Sequence, residues 1–542
     1  MTDNRIKTSI FIFPLLAGGL LSLAFSLKVF WWVIFFALVP LFFFIQRCPS
    51  KKSAFWGGFL TGLIFFGVTT SWFLFASMAD WVGSERKIII ILILALTWLV
   101  YILFASVFTG AAAYLFFRLR TRNWSDIFLF PALWVIFEYF RAWGIAVFTL
   151  GPVSLFGPHV TLGHLGYALA DSPFIVLAGF TGVYGLGFLM VFINCLIFFL
   201  LISVKKPVFK KENILKFGLC FSVIFLAFAS VYYFQNLRSG KSFSSKNSIQ
   251  ASIIQTNFPS LFSYTPEQET EFSDIQLNLF SEASRQSGWP RIIVFPEHAN
   301  FLKRASSFSS QASLADVLKQ KDALIVDSGW HSNERTGSAV TRLIYFDLRT
   351  AKVIASFDKV LLMPVGDYLP YFLTAVLNLI GRDDWIVNME MTRGYEKGGN
   401  LTVVEYNGIK LGGLLCSEVV SPYLYKELTA KGAEVLIGSA SDAIFKGDRL
   451  LVGQLLAMAK IRAAENNRYF IQAANQGDSY VIDNRGKLVV KNEKIGNEVI
   501  HADVQPMTGR TFYNRFGDWV LILAGLIIGS AILFKTGFPF RR

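Results

Sequence analysis

Long apolar runs separated by short polar loops fill the first 234 residues, and beyond residue 240 the pattern changes to short runs of β-forming residues. A membrane-spanning helix needs about 20 mostly apolar residues. Seven stretches before residue 235 read as spans, at about 10–27, 29–46, 54–79, 87–117, 124–142, 173–204 and 213–234, and an eighth lies at about 518–536. The first pair is short and predicts either two tilted spans or one re-entrant unit. The first stretch lacks a small-residue cleavage site followed by polar sequence, and further apolar runs follow directly, so it reads as a helix rather than a signal peptide.

Between about 240 and 510 the runs SIQASIIQTNF (248–258), RIIVFPE (291–297), ALIVDSGW (323–330), IKLGGLLC (409–416), EVLIGSAS (434–441) and RYFIQAANQ (468–476) predict buried strands. Thr265-Pro266-Glu267-Gln268 supplies an N-cap, Pro at the first helical position and a capping-box Gln, which predicts a helix to about 286. RLLVGQLLAMAKIRAAEN (449–466) predicts a second helix, and TRLIYFDLRTAKVIASF an antiparallel hairpin. Strands alternating with helices argue for an α/β layered domain. The expected division is 1–234 for the membrane bundle, 235–517 for the α/β domain and 518–542 for a last span and a short tail.

Composition agrees with that division. Of 542 residues 54% are apolar and only 16% charged, against roughly 25% charged in soluble domains. A purely soluble or disordered chain is excluded. The net charge of +14 could suggest nucleic acid, but residues 235–517 hold 31 Lys and Arg against 29 Asp and Glu, and the membrane segments hold 20 against 8. The excess therefore belongs to the spans and their loops, where it sets orientation, and nucleic-acid binding is unsupported. With the N-terminus inside, the loops around Arg5, Arg47 to Lys52, Arg118 to Arg122, Lys205 to Lys216 and Lys535 to Arg542 carry sixteen Lys and Arg, against Lys28, Arg86, Lys87 and Arg141 on the other side. This asymmetry places the α/β domain on the outer face of a cytoplasmic membrane.

Four Cys rule out a disulfide scaffold. Cys48, Cys195 and Cys220 lie in or beside predicted spans, where Cys acts as a small apolar residue. Cys416 is the only Cys of the α/β domain. It reads either as a core thiol or as a nucleophile, because it ends an apolar strand after Gly412-Gly413 and precedes Ser421-Pro422 and a helical pattern. A helix N-terminus there would stabilise its thiolate. Glu297 closes one strand and Lys359 follows another. Alone, each reads as a loop cap or a solvated strand end; together, a carboxylate, an ammonium and a thiol at strand ends of one sheet can converge on one cleft.

Glu297 in FPEHA, Lys359 in FDKVLLMPVGDYLP and Cys416 in GGLLCSE resemble the Glu-Lys-Cys triad of the nitrilase superfamily. Nearly end to end the chain resembles the apolipoprotein N-acyltransferases, with WVIFEYFRAW (134–143), AGFTGVYGLGFLMVFIN (178–194), AKIRAAENNRYFIQAANQG (459–477) and RTFYNRFGDW (510–519) in support. The resemblance implies a polytopic α-helical bundle of about eight spans carrying an exported nitrilase-like αββα sandwich. It implies acyl transfer from a membrane phospholipid through a Cys416 thioester to the α-amine of the N-terminal diacylglyceryl-Cys of apolipoproteins, the last step of lipoprotein maturation. Glu297 is then the general base and Lys359 the oxyanion stabiliser. Glu418 orients the site, and Asp367 holds Lys359 or Glu297, unless both are ordinary loop charges. No cofactor is implied, and a monomer is expected. Several positions depart from the family pattern: His298 replaces a small residue, Asp367 a Glu and Ser417 a frequent aromatic, and SDAIFKGD lacks the Asn-Asp opening and the Trp. They imply an altered pocket around an intact triad.

Other features are weaker. The five His form no cluster and no metal is expected; His298 reads as a neighbour of Glu297 rather than a base. Glu138 and Arg141, three apart near the outer end of a span, read as an ion pair or a headgroup contact. YFLTAVLNLIG (371–381) reads as a lid that dips into the bilayer, or as a core helix. Two competing readings share parts of this pattern: a membrane-tethered nitrilase-like amidase, which needs a small closed pocket, and a non-catalytic scaffold, in which Cys416 is dispensable.

Overall fold

The computed structural model describes residues 10–76, 87–205, 222, 248–259, 264–285, 291–307, 323–333, 336–393 and 395–536. The chain starts with α1 (Ile12–Ser26), a 3-10 segment (Lys28–Phe35) and α2 (Val39–Arg47). Fifteen residues make α1 about 22 Å long, short of the roughly 30 Å hydrocarbon layer. The break before α2 frees backbone groups in an apolar setting, where water is absent to satisfy them. Asn194 takes both roles: its Oδ1 accepts from the Leu38 amide at 2.8 Å and its Nδ2 donates to the Ile34 carbonyl at 2.8 Å.

α3 (Lys51–Thr69) is N-capped by Ser50, and α4 (Lys87–Leu119), α5 (Asp126–Phe148) and α6 (Ala178–Lys205) complete the described N-terminal bundle. The stretch expected at 54–79 is thus an α-helix only to Thr69; a 3-10 turn covers Ser71–Phe75. Positions 77–79 and the span expected at 213–234, apart from residue 222, lie outside the described residues. Among the described residues five helices are long and apolar enough to cross a membrane: Lys28–Arg47, Ile91–Leu119, Asp126–Phe148, Pro173–Ile202 and Trp519–Thr536. α3 and α4 meet at small residues. A Cβ on Gly58 would come within 2.5 Å of the Thr109 carbonyl oxygen, so only glycine permits this approach. α6 breaks at Gly182 (φ +65°), where a side chain would strike the Tyr513 ring.

The extramembrane part is two six-stranded sheets. β1 (Ile249–Gln255), β2 (Arg291–Val294), β3 (Leu324–Ser332), β4 (Ala339–Asp347), β5 (Lys352–Asp358) and β12 (Glu498–Val504) form one, in the order β12-β1-β2-β3-β4-β5. β6 (Val403–Tyr406), β7 (Ile409–Leu415), β8 (Val435–Ser441), β9 (Tyr469–Asn475), β10 (Tyr480–Ile482) and β11 (Leu488–Lys491) form the other, in the order β11-β10-β9-β8-β7-β6. Each has a parallel centre (β1-β2-β3 and β7-β8-β9) and antiparallel edges. The parallel strands read as continuous apolar runs because both faces are covered.

Between the sheets Ile253, Val294, Val326 and Tyr345 pack with Leu411, Val435, Ile437 and Ile471. Outside the first sheet lie α7 (Pro266–Arg285) and α8 (Phe301–Ser307). The capping box of α7 forms as expected, with Thr265 N donating to Gln268 Oε1 and Gln268 N to Thr265 Oγ1. Between the sheets in sequence come α9 (Tyr371–Leu379) and α10 (Asp383–Arg393). Outside the second sheet lie α11 (Pro422–Ala430) and α12 (Arg449–Asn466), followed by α13 (Phe512–Phe516) and α14 (Trp519–Thr536). The result is an αββα sandwich. Leu424, Tyr425, Leu428, Leu456 and Met458 of its last layer belong to the same apolar core as the membrane helices.

Candidate active site

Three strand ends converge. Glu297 follows β2, and its amide donates to the Ala440 carbonyl across the two sheets at 3.2 Å. Ser439 Oγ donates to the Phe295 carbonyl at 2.9 Å beside it. Lys359 leaves β5, its amide bonded to the Thr341 carbonyl at 2.8 Å. Lys359 Nζ lies 3.4 Å from Glu297 Oε1 and 3.2 Å from Asp367 Oδ2, and Glu297 and Lys359 are each only 5% exposed. Burial alone would lower the Lys359 pKa, but the Asp367 and Glu297 carboxylates outweigh it and hold the ammonium well above its usual value. Lys359 is therefore a fixed positive charge.

Cys416 ends β7 and opens a 3-10 turn, Cys416–Val420. Its φ of +40° is unusual for a residue with a side chain, and marks a strained turn that turns the thiol out of the strand. The S–H donates to the Ser441 carbonyl at 3.8 Å. The expected stabilisation of the thiolate by a helix terminus is not what the structure shows. Burial, with Glu297 adding to it, pushes the thiol well above its ordinary pKa, and Lys359 only partly opposes this. A five-residue 3-10 turn supplies too little dipole to overcome desolvation. The resting Cys416 is a neutral thiol, and it would need a base to act as a nucleophile.

Glu418 joins the pieces. Its Oε1 accepts from the Val360 and Leu361 amides at 2.8 and 3.0 Å, and its Oε2 from the Leu415 amide at 2.6 Å. One buried carboxyl thus ties the exit of Lys359 to the entry of Cys416. Ser417 Oγ donates to the Leu361 carbonyl at 3.2 Å across the same junction. Asp367 Oδ2 also accepts from the Met363 amide, which fixes the loop that carries it. His298 stacks on Trp330 with ring centroids 4.4 Å apart, and its Nε2 lies 4.0 Å from Glu297 Oε1.

Sequence reasoning passed over Asp442. It follows β8 as Glu297 follows β2, and the same strand-end rule could have found it. Burial first, then Glu297 and Asp478, raises its pKa to about 7. Also unforeseen is an apolar junction with the membrane helices: Trp72 meets the Phe445 ring edge-on at 5.0 Å, and Ala76, Phe73, Leu94 and Val365 pack around it. Segment 371–381 is a helix over Tyr371–Leu379, and apart from the buried Leu377 its apolar side chains are exposed or half-exposed, Leu379 being 87% exposed. It is not core. Its base rests on the end of α5, with Phe372 stacked on Phe148 at 4.2 Å and Tyr371 N donating to the Leu150 carbonyl. Glu138 and Arg141 form no ion pair. Glu138 Oε1 accepts from Trp134 Nε1 and the Leu165 amide, and Arg141 Nη2 bonds His164 Nδ1 at 3.0 Å.

A base, a fixed cation and a thiol in a partly desolvated cleft suit acyl transfer through a covalent intermediate. The chain is similar to known proteins over both of its parts. Residues 17–196 match the apolipoprotein N-acyltransferase N-terminal domain, and residues 250–513 match the carbon-nitrogen hydrolase family. An apolipoprotein N-acyltransferase of Geobacter metallireducens is 25% identical over 97% of this chain and 95% of its own length. Those of Pseudomonas aeruginosa and Coxiella burnetii are each 27% identical, covering 98% and 95% of this chain and 97% and 98% of theirs. Among solved structures, Saccharomyces cerevisiae Nit3, a member of branch 10 of the nitrilase superfamily, aligns over 56% of this chain and 97% of its own at 18% identity and a TM-score of 0.36.

Proposed function

The chain belongs to the apolipoprotein N-acyltransferase family, and on that premise we propose that it N-acylates lipoproteins by a two-step transfer at Cys416, Glu297 and Lys359. Glu297 removes the proton of the neutral Cys416 thiol, and the sulfur attacks the ester carbonyl of a membrane phospholipid. Lys359, kept charged by Asp367, faces the oxyanion of the tetrahedral intermediate. Collapse expels the lysophospholipid alkoxide, which takes the proton back from Glu297, and leaves a Cys416 thioester. The α-amine of a diacylglyceryl-modified N-terminal Cys attacks that thioester in the second step.

The observation that carries this reading is the convergence of the three strand ends, with Lys359 within 3.4 Å of both carboxylates. The junction of Trp72 and Phe445 and the outward face of α9 support lateral supply of the acyl chain from the bilayer. The charge asymmetry of the loops supports about eight spans in the inner membrane with the catalytic domain on the periplasmic face, and divisions near residues 234 and 517. The molecule is taken to act as a monomer. Intact-mass analysis after incubation with phospholipid tests the reading. Wild-type protein gains one acyl group; Cys416→Ala gains none. Absence of the adduct on wild-type protein overturns the reading.

A further inference from the structure

The site holds more buried carboxyl groups than Lys359 serves. Lys359 is engaged by Glu297 and Asp367. Asp442, 6% exposed, sits one residue beyond Ser441, whose carbonyl receives the Cys416 thiol. Among the described residues no hydrogen bond or ion pair reaches its carboxyl. The ionisable groups around it are Glu297, Cys416, Asp478 and Tyr480, and the ammonium groups of Lys491, 2.7 Å from Asp478, and of Lys28 act on Asp478 rather than on Asp442. One carboxylate oxygen lies over Gly477, where an added Cβ would stand only 2.2 Å from it, so the group is held in place by close backbone packing rather than by a partner. A buried carboxylate without a cation is costly.

We infer that Asp442 is the recognition site for the positively charged α-ammonium of the second substrate. The inference rests on the acyl-transfer reading and assigns the acceptor half of that reaction to a residue outside the triad. Before the ammonium arrives, Asp442 holds a proton beside Glu297, in keeping with a pKa raised to about 7 by burial and by Glu297. A free α-ammonium ordinarily titrates at about 7.7–8.0, close enough to exchange a proton with such a group. As the ammonium enters, Asp442 releases its resting proton to water, and the ammonium pairs with the carboxylate so formed and passes it one proton. The neutral amine attacks the thioester carbonyl, forming the C–N bond. Glu297 takes the second proton from nitrogen and delivers it to Cys416 sulfur as the C–S bond breaks. Asp442 keeps the proton it received and is back in its starting state, so the balance closes with one amide, one thiol and the one proton released on entry.

The test separates the two half-reactions in the full-length protein in detergent. Asp442→Asn mimics the neutral carboxyl, so Cys416 thioester formation from phosphatidylethanolamine, read by intact mass, stays within about threefold of wild type. Release of that acyl group by hydroxylamine, a nucleophile that is neutral at pH 7, is likewise unchanged. Transfer to a synthetic diacylglyceryl-Cys peptide with a free N-terminus shows a KM raised about tenfold to a hundredfold, the range for a lost hydrogen bond to a charged group. A peptide KM within twofold of wild type overturns the inference, and so does an equal loss of thioester formation and peptide transfer, which makes Asp442 structural. Failure of wild-type protein to form a thioester overturns the acyl-transfer reading instead.

Discussion

In the proposed mechanism Glu297 and Lys359 divide the work by charge: one moves a proton, the other stays put. Replacing Glu297 by Gln keeps its shape and hydrogen-bond reach but removes the base, which a neutral Cys416 thiol needs; thioester formation is expected to fall by about 10²–10⁴. Lys359→Met removes the oxyanion charge and is expected to cost about 10²–10³. Single-turnover acylation measures both, and a variant that keeps a tenth of the wild-type rate takes its residue out of the reacting centre. Asp442 gives a stability signature of opposite sign to most carboxylates. Its pKa rises from 3.8 to about 7 on folding, so between those values the folded state holds a proton that the unfolded state has released. Stability therefore falls as pH rises through that window, and Asp442→Asn is expected to flatten the decline. Thermal unfolding in detergent from pH 4 to pH 8 measures it, and identical slopes for both proteins contradict the assignment.

At the scale of elements, α9 presents Leu379 and Ile380 outward, 87% and 60% exposed, while Phe372 and Tyr371 pin its start to the end of α5. An apolar helix anchored at a span end is positioned to enter the lipid interface. Leu379→Glu with Ile380→Glu is expected to raise the KM for vesicle phospholipid about tenfold or more, since burying each side chain is worth about 1.5–3 kcal/mol. Acyl transfer from a water-soluble short-chain ester should be unaffected; equal losses with both donors refute a membrane role for α9. Elements of this kind were legible in the sequence because their signals are local. The Thr265 capping box, the 449–466 helix and the six buried strands each depend on neighbouring residues only. The break between Ile34 and Leu38 was not, because a single side chain 156 positions away, Asn194, makes it tolerable. Nor was the edge-on contact of Trp72 with Phe445, which joins a span to the loop after β8. Asp442 stands at a strand end that the sequence shows, but its environment was hidden for a related reason: it is made by β2 and β8 of different sheets.

For the whole molecule, topology and chemistry must agree, because the acceptor amine of an exported lipoprotein lies outside the cytoplasm. A membrane-impermeant thiol reagent applied to intact spheroplasts is expected to label Cys416, which is partly exposed. Labelling only after permeabilisation would put the domain on the cytoplasmic side and end the lipoprotein assignment. The domain is bolted to the bundle at several points. Thr161 Oγ1 donates to the Val420 carbonyl, His159 bonds Ser421 at 2.9 Å, Gln454 Nε2 donates to the Thr69 carbonyl at 2.7 Å, and Glu465 accepts from the Val183 amide freed by the Gly182 break. Two of these contacts fall on the turn that follows Cys416.

The shared apolar core of α11, α12 and the membrane helices bears on how the catalytic half can be handled in the laboratory. The sandwich shares its underside with the bundle and is not expected to stand alone. A fragment spanning 248–510 would lose the lining that covers Leu424, Tyr425, Leu428, Leu456 and Met458, and would present that greasy underside to solvent. Expressed alone, it is expected to pellet or to require detergent, and a monodisperse soluble fragment would show that the seam is weaker than its packing implies. Any effort to free the enzyme from the bilayer must first rebuild that underside with polar side chains.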